Sequence, residues 1–113
     1  MKNLYLLFVA ASIFSCKKND INLSETRWTL YYKHNPTFNF YAKSDIYFKN
    51  ENLVENARNF DTLTGTWFAD KKKLNIYFTN DDRYEGTIVN SDSMTGTLLL
   101  PHGDHGVWYA KRK

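Results

Sequence analysis

The chain has 113 residues, 42% of them hydrophobic, 17% aromatic and 24% charged, with a formal net charge of +3. That length accommodates one domain and not two, and so weak a positive balance gives no footing for nucleic-acid binding. The single cysteine excludes an intramolecular disulfide.

The chain opens on MKNLYLLFVAASIFSC. Lys2 supplies a positive start, Leu4 to Phe14 form an apolar run of 11 residues, and Ala10, Ala11, Ser12 and Ser15 are small. A helix crossing a hydrocarbon core of ~30 Å needs roughly 20 apolar residues, so this run is too short to span. It fits a cleavable export signal. The run ends Ile13-Phe14-Ser15-Cys16, which resembles the bacterial lipobox: an aliphatic residue at −3, a small one at −1, then the cysteine to be lipidated. The resemblance implies a signal peptide over 1–15, then a lipid attachment site and short tether over 16–25. The lipid bilayer becomes a partner through acylated Cys16. Acyl chains at ~0.8 kcal/mol per buried methylene give an anchor far firmer than one myristoyl group. Ser15-Cys16-Lys17-Lys18-Asn19-Asp20 is similar to the start of many lipoproteins of Bacteroidota, which implies the outer membrane, on either face.

Removal of the signal leaves 98 residues with 14 basic and 12 acidic side chains, a formal charge of +2. Strand signals recur over this region at intervals of about 8–12 residues, the spacing of an all-β sandwich or barrel. Thr26 to Lys33 alternates Trp28, Leu30 and Tyr32 against Thr29, Tyr31 and Lys33. A loop from His34 to Lys43 contains Pro36, and Asp45 to Lys49 then places Ile46 and Phe48 on one face. Asn50-Glu51-Asn52 turns into Leu53 to Arg58, Thr64 to Ala69 carries Trp67, and Asp70 to Lys72 turns into Lys73 to Thr79. That last strand alternates most cleanly, with Leu74, Ile76 and Phe78 on one face. Asn80-Asp81-Asp82 precedes Arg83 to Val89, Asn90-Ser91-Asp92 precedes Ser93 to Leu100, and Pro101 to Asp104 precedes His105 to Lys111. These clusters carry the turn-forming residues Asn, Asp and Pro.

Eight strands with short links predict antiparallel neighbours throughout. An open meander would expose two edges, and closure removes them. Gly65, Gly86, Gly96 and Gly106 fall inside strand patterns, where glycine marks the bends of a curving sheet. The predicted fold is therefore all-β: a single small antiparallel up-and-down barrel of about eight strands over 26–113, with a sandwich as the alternative.

Thr64-Gly65-Thr66-Trp67, Leu74-Asn75-Ile76-Tyr77-Phe78, Gly86-Thr87-Ile88, Met94-Thr95-Gly96-Thr97 and Gly106-Val107-Trp108-Tyr109-Ala110-Lys111-Arg112 follow one another in order. Together they resemble the lipocalin-like domains of Bacteroidota lipoproteins, within the calycin group of barrels, over most of Trp28 to Arg112. The resemblance implies a barrel-closing pair of Trp28 and Arg112, a guanidinium over an indole. It also implies a binding module for a small hydrophobic ligand. Thr26 stands where lipocalins carry glycine, and no residues remain for their C-terminal helix. A barrel this short has dimensions that its own side chains fill.

The ligand-binding candidates are the inward Trp28, Phe48, Trp67, Ile76 and Phe78, with Phe38 and Phe40 from the long first loop as a lid over the mouth. Core packing is the plainer role for each. Pro101-His102-Gly103-Asp104-His105-Gly106 gathers two imidazoles and a carboxylate, but reads as a glycine-bearing turn rather than a metal site. No cofactor is implied. There is no Gly-x-Ser-x-Gly, no phosphate loop and no evident acid–base pair, so no enzyme is expected. Asp61-Thr62-Leu63 and Asp92-Ser93-Met94 are similar to the O-glycosylation sequon of exported Bacteroidota proteins, making Thr62 and Ser93 candidates. A second functional reading is an envelope lipoprotein that contacts a protein or glycan through exposed tyrosines such as Tyr31, Tyr77 and Tyr109, around a barrel packed solid.

Overall fold

The computed structural model describes residues 22–113; Cys16 and the export signal lie outside the described residues. Eight strands form one closed antiparallel barrel in chain order. They are β1 (Thr26–Lys33), β2 (Ala42–Phe48), β3 (Leu53–Ala57), β4 (Thr62–Asp70), β5 (Lys73–Phe78), β6 (Arg83–Asn90), β7 (Ser93–Leu99) and β8 (His105–Arg112). Closure comes from β1 pairing with β8 between Trp28↔Arg112 and Lys33↔Val107. No strand of the sheet is left with a free edge, the condition that the even spacing and short turns predicted. β2 and β4 begin three and two residues earlier than the alternation suggested, at Ala42 and Thr62.

The turns are built as their residues require. Asn35, Asn80 and Asn90 each accept a hydrogen bond on Oδ1 from the backbone N–H two residues on, at 2.8–3.1 Å. Such local bonds replace the ladder where the chain reverses. A single 3-10 turn, Asn50–Asn52, links β2 to β3.

Strand alternation sends one face inward, and that face is filled. Trp28, Leu30, Ile46, Phe48, Val54, Trp67, Leu74, Ile76, Phe78, Tyr84, Ile88, Met94, Leu98, Trp108 and Ala110 form one continuous core with Leu23. The glycine pair Gly86 and Gly96, directly opposed on β6 and β7, makes room for the largest of these side chains. A Cβ on Gly86 would stand 2.5 Å from Cζ2 of Trp108. The indole instead lies over the two glycines, and its Nε1 donates to the carbonyls of Glu85 and Thr97, each at 3.2 Å.

The two ends of the barrel differ. At the end where β1 begins, Leu23 is buried in the core although the sequence placed it in the tether. The Thr26 hydroxyl explains why. It donates to the Leu23 carbonyl at 2.5 Å and accepts from Trp28 Nε1 at 2.9 Å, so the chain doubles under the barrel and Leu23 plugs it. The core therefore takes in Leu23, three residues ahead of β1. The other end carries the long loop 34–41, the hairpins 58–61 and 79–82, and the turn 100–104. It is the open end.

Candidate functional site

The inward face changes character toward the open end. Ser44 shares the inward parity of Ile46 and Phe48, and Asn56 shares that of Val54. The register sets Ser44 opposite Leu30, and Asn56 opposite both Ile46 and Leu63. Both are buried, Asn56 to 1% exposure. Yet Ser44 Oγ and Asn56 Oδ1 have no hydrogen-bond partner among the described residues. Each such orphan costs ~1–3 kcal/mol of desolvation, an expense that a purely structural interior avoids by using Val or Leu.

Other polar groups ring the same end. Tyr84 packs its ring edge-on to Phe78 at 5.5 Å. Burial pushes its phenol well above the ordinary tyrosine range, and Tyr32 and Asp82 add to the effect. Asp82 is buried and accepts from Asn80 Nδ2 at 3.1 Å. Arg58, next inward position after Asn56, grips Asp61 bidentately at 2.8 and 2.7 Å. That bond raises the Arg58 pKa and holds the Asp61 carboxyl below its usual range. Tyr32, Leu63 and Leu100 pack partly buried against the core. The arrangement is an apolar floor with two unsatisfied polar atoms and a polar rim. It presents no nucleophile beside a base.

The aromatic candidates fall into two groups. Trp28, Phe48, Trp67, Ile76 and Phe78 are all buried in the packed core, with Phe48 and Trp67 edge-to-face at 5.6 Å. Trp67 is further tied down by its Nε1 donating to the Lys49 carbonyl at 3.1 Å. Phe38 and Phe40 stand away from these residues, exposed to 55% and 85%. The loop that bears them folds against the outer wall through Tyr41, which meets the Tyr109 ring edge-on at 4.9 Å. At that exposure neither phenylalanine ring is packed over the core.

Trp28 and Arg112 are register partners across β1 and β8. The guanidinium, however, is exposed and reaches the Ser91 carbonyl at 3.5 Å. The cations that do lie over rings are Arg27 over Tyr47, Lys33 over Tyr41, Lys43 over Tyr31 and Arg83 over Tyr77. The indole's own needs are met by Thr26, and Leu23 closes that end instead.

His102 Nε2 and Asp104 Oδ2 pair at 2.9 Å on the surface. No three His, Cys, Asp or Glu side chains converge as metal ligands among the described residues. Thr62 is exposed at the start of β4, and the Ser93 hydroxyl is half-buried and donates to Asn90 Oδ1 at 3.2 Å.

Outside the barrel, Tyr31 and Tyr109 stack across β1 and β8 with ring centroids 4.7 Å apart and planes 13° from parallel. Tyr77 lies on β5 beside Thr66 and Arg83, on the far wall. Open troughs of about 570 Å³ and 240 Å³ lie on the outer surface. The larger is lined by Lys73, Asn75, Glu85, Thr87, Thr95 and Thr97, the smaller by Arg27, Asp45, Tyr47, Glu55, Thr62 and Lys113 among others.

No protein-family model and no curated protein matches the sequence. Among solved structures the chain is similar to a redesigned β-barrel, with a TM-score of 0.56 and 10% identity over 80% of this chain and 92% of that one. The fold is a closed eight-stranded barrel. At that identity the likeness carries no function with it.

Proposed function

We propose that the protein is an exported lipoprotein, anchored through acylated Cys16, whose barrel is a non-catalytic binding module. Its ligand is a small, largely apolar molecule carrying a hydrogen-bonding group, and it sits at the open end. Ser44 Oγ and Asn56 Oδ1, buried without partners in a barrel end where Tyr32, Leu63 and Leu100 pack partly buried against the core, carry this reading. A small-molecule site is mostly apolar with a few fixed polar groups. Here the Asn56 amide and the Ser44 hydroxyl supply the polar groups, and the leucines and Tyr32 supply the apolar wall. The depth of the barrel is occupied by its own tryptophans and phenylalanines, which restricts the ligand to the mouth.

Native mass spectrometry of the full-length protein, purified in detergent from its own host, tests the site. A small molecule should co-purify, and should be lost when Ser44→Ala and Asn56→Leu are combined. A ligand-free spectrum from the native host, or a ligand retained by the double variant, overturns the site. The anchor is tested apart from it: Cys16→Ala should leave the membrane fraction, and a variant that stays there refutes lipidation as the tether.

A further inference from the structure

A different part of the molecule carries a second binding surface. We infer that the outer wall of β8, β1 and β2 docks an acidic polysaccharide chain. Tyr31 and Tyr109 stack across the β1–β8 seam and Tyr41 leans edge-on against Tyr109. The loop 34–41 is thereby folded back so that three phenols share one patch. Lys33 Nζ lies 4.3 Å from the Tyr41 ring centre and Lys43 Nζ lies 6.0 Å from that of Tyr31. Lys111, outward on β8 beside Thr29, extends the same row.

Charge selects the partner. Lys49, Arg83 and Lys113 are paired with Glu55, Glu85 and Asp45 respectively. Lys33, Lys43 and Lys111 have no carboxylate partner among the described residues, and they cluster on this wall. The patch therefore offers ammonium donors and phenol groups, and its charge is complementary to an anion that is also rich in hydroxyls. The smaller open trough adjoins this wall, and it is lined chiefly by Arg27, Asp45, Tyr47, Glu55, Thr62 and Lys113 rather than by the apolar side chains that seat a protein partner's apolar residues. A sugar chain with carboxylates along its length needs no pocket. It meets the phenol groups with its hydroxyls and lays its charges on the flanking lysines.

The test is a titration of the detergent-solubilised full-length protein with polygalacturonate, neutral dextran and poly-glutamate, in low and high salt. Polygalacturonate should bind in preference to both others and weaken as salt screens the exposed charges. Lys33→Ala combined with Lys43→Ala should weaken it about tenfold, the scale of two lost surface ion contacts. Tyr41→Ala, at an exposed ring, should weaken it as well. Lys72→Ala, in the β4–β5 turn at the closed end, should leave it unchanged. Equal binding of dextran, tighter binding of poly-glutamate, or a double variant as tight as the parent overturns the inference. The combined Ser44→Ala and Asn56→Leu variant should bind polygalacturonate normally, so the two sites fail independently.

Discussion

Replacing Asn56 with leucine separates a site from a scaffold, because the two roles predict opposite signs. The side chain is 1% exposed and its Oδ1 has no partner. Removing an unsatisfied buried polar atom returns ~1–3 kcal/mol, and leucine, close to asparagine in size, adds apolar contact with Ile46 and Leu63 across the register. Overpacking subtracts part of that, since a slightly larger side chain in a dense core costs up to ~1–3 kcal/mol. A net gain of about 1 kcal/mol is expected. For a domain of 60–100 residues, a gain of this size raises the melting temperature by about 4–8 °C. Thermal unfolding of parent and variant, followed by circular dichroism, measures the change. The variant should melt higher and hold no ligand, the trade of stability against function common at binding sites. A variant that melts several degrees lower would show that the amide is hydrogen-bonded in the native protein, and the argument from orphaned atoms would fall.

Three further outcomes follow from the packing and the ionisation. Gly86→Ala forces a methyl to within 2.5 Å of the Trp108 ring and should cost ~1–3 kcal/mol, read as a fall in the denaturant midpoint at constant slope. Thr26→Val deletes the acceptor of Trp28 Nε1 and the bond to Leu23. It should cost ~1–3 kcal/mol for the stranded indole N–H, and proteolysis should reach the chain around Leu23 before the strands. The Tyr84 phenol is raised above its ordinary value of 10.0. Its contribution is therefore fully present below that value, and is lost as pH rises from there toward the folded value. Tyr84→Phe should flatten the alkaline decline of stability between pH 9 and about 12, and an unchanged decline would exonerate Tyr84.

Much of the barrel was legible because its signals are local. The period-2 runs from Trp28 and from Leu74, and the asparagine turns at positions 80 and 90, each decide their own structure. The interior was legible only where it is apolar. Ser44 and Asn56 have inward parity in plain view, but polar residues beside turns read as solvent-facing, and nothing local says that a barrel will close over them. Leu23 was hidden for a related reason. A leucine before the first strand becomes a plug only once the Thr26 hydroxyl has bent the chain under Trp28, a tertiary event. Phe38 and Phe40 show the converse: aromatic residues in a long loop suggest apolar contact, yet both rings are exposed while Tyr41 of the same loop meets Tyr109 on the outer wall. Arg112 sits at the right register opposite Trp28, and register alone does not set where a long side chain lies.

On the proposed reading, the two ends also decide which way the barrel faces. The chain enters the barrel at the end that Leu23 plugs, and every loop of the mouth lies at the other end. On the lipoprotein reading, the six steps from Cys16 to Asn22 span at most ~20 Å. The eight residues of β1 rise ~26 Å along the strand before any tilt. A tether that short holds the plugged end toward the bilayer and turns the mouth outward. The ligand then arrives through the aqueous compartment instead of sliding up from the lipid. Labels attached at Lys72→Cys, in a turn of the closed end, and at Phe60→Cys, 99% exposed at the tip of a mouth hairpin, report this orientation. In vesicles carrying a quencher within the acyl region, the label at position 72 should be quenched more than the label at position 60. The reverse order would put the mouth on the membrane and make the bilayer itself the source of the ligand.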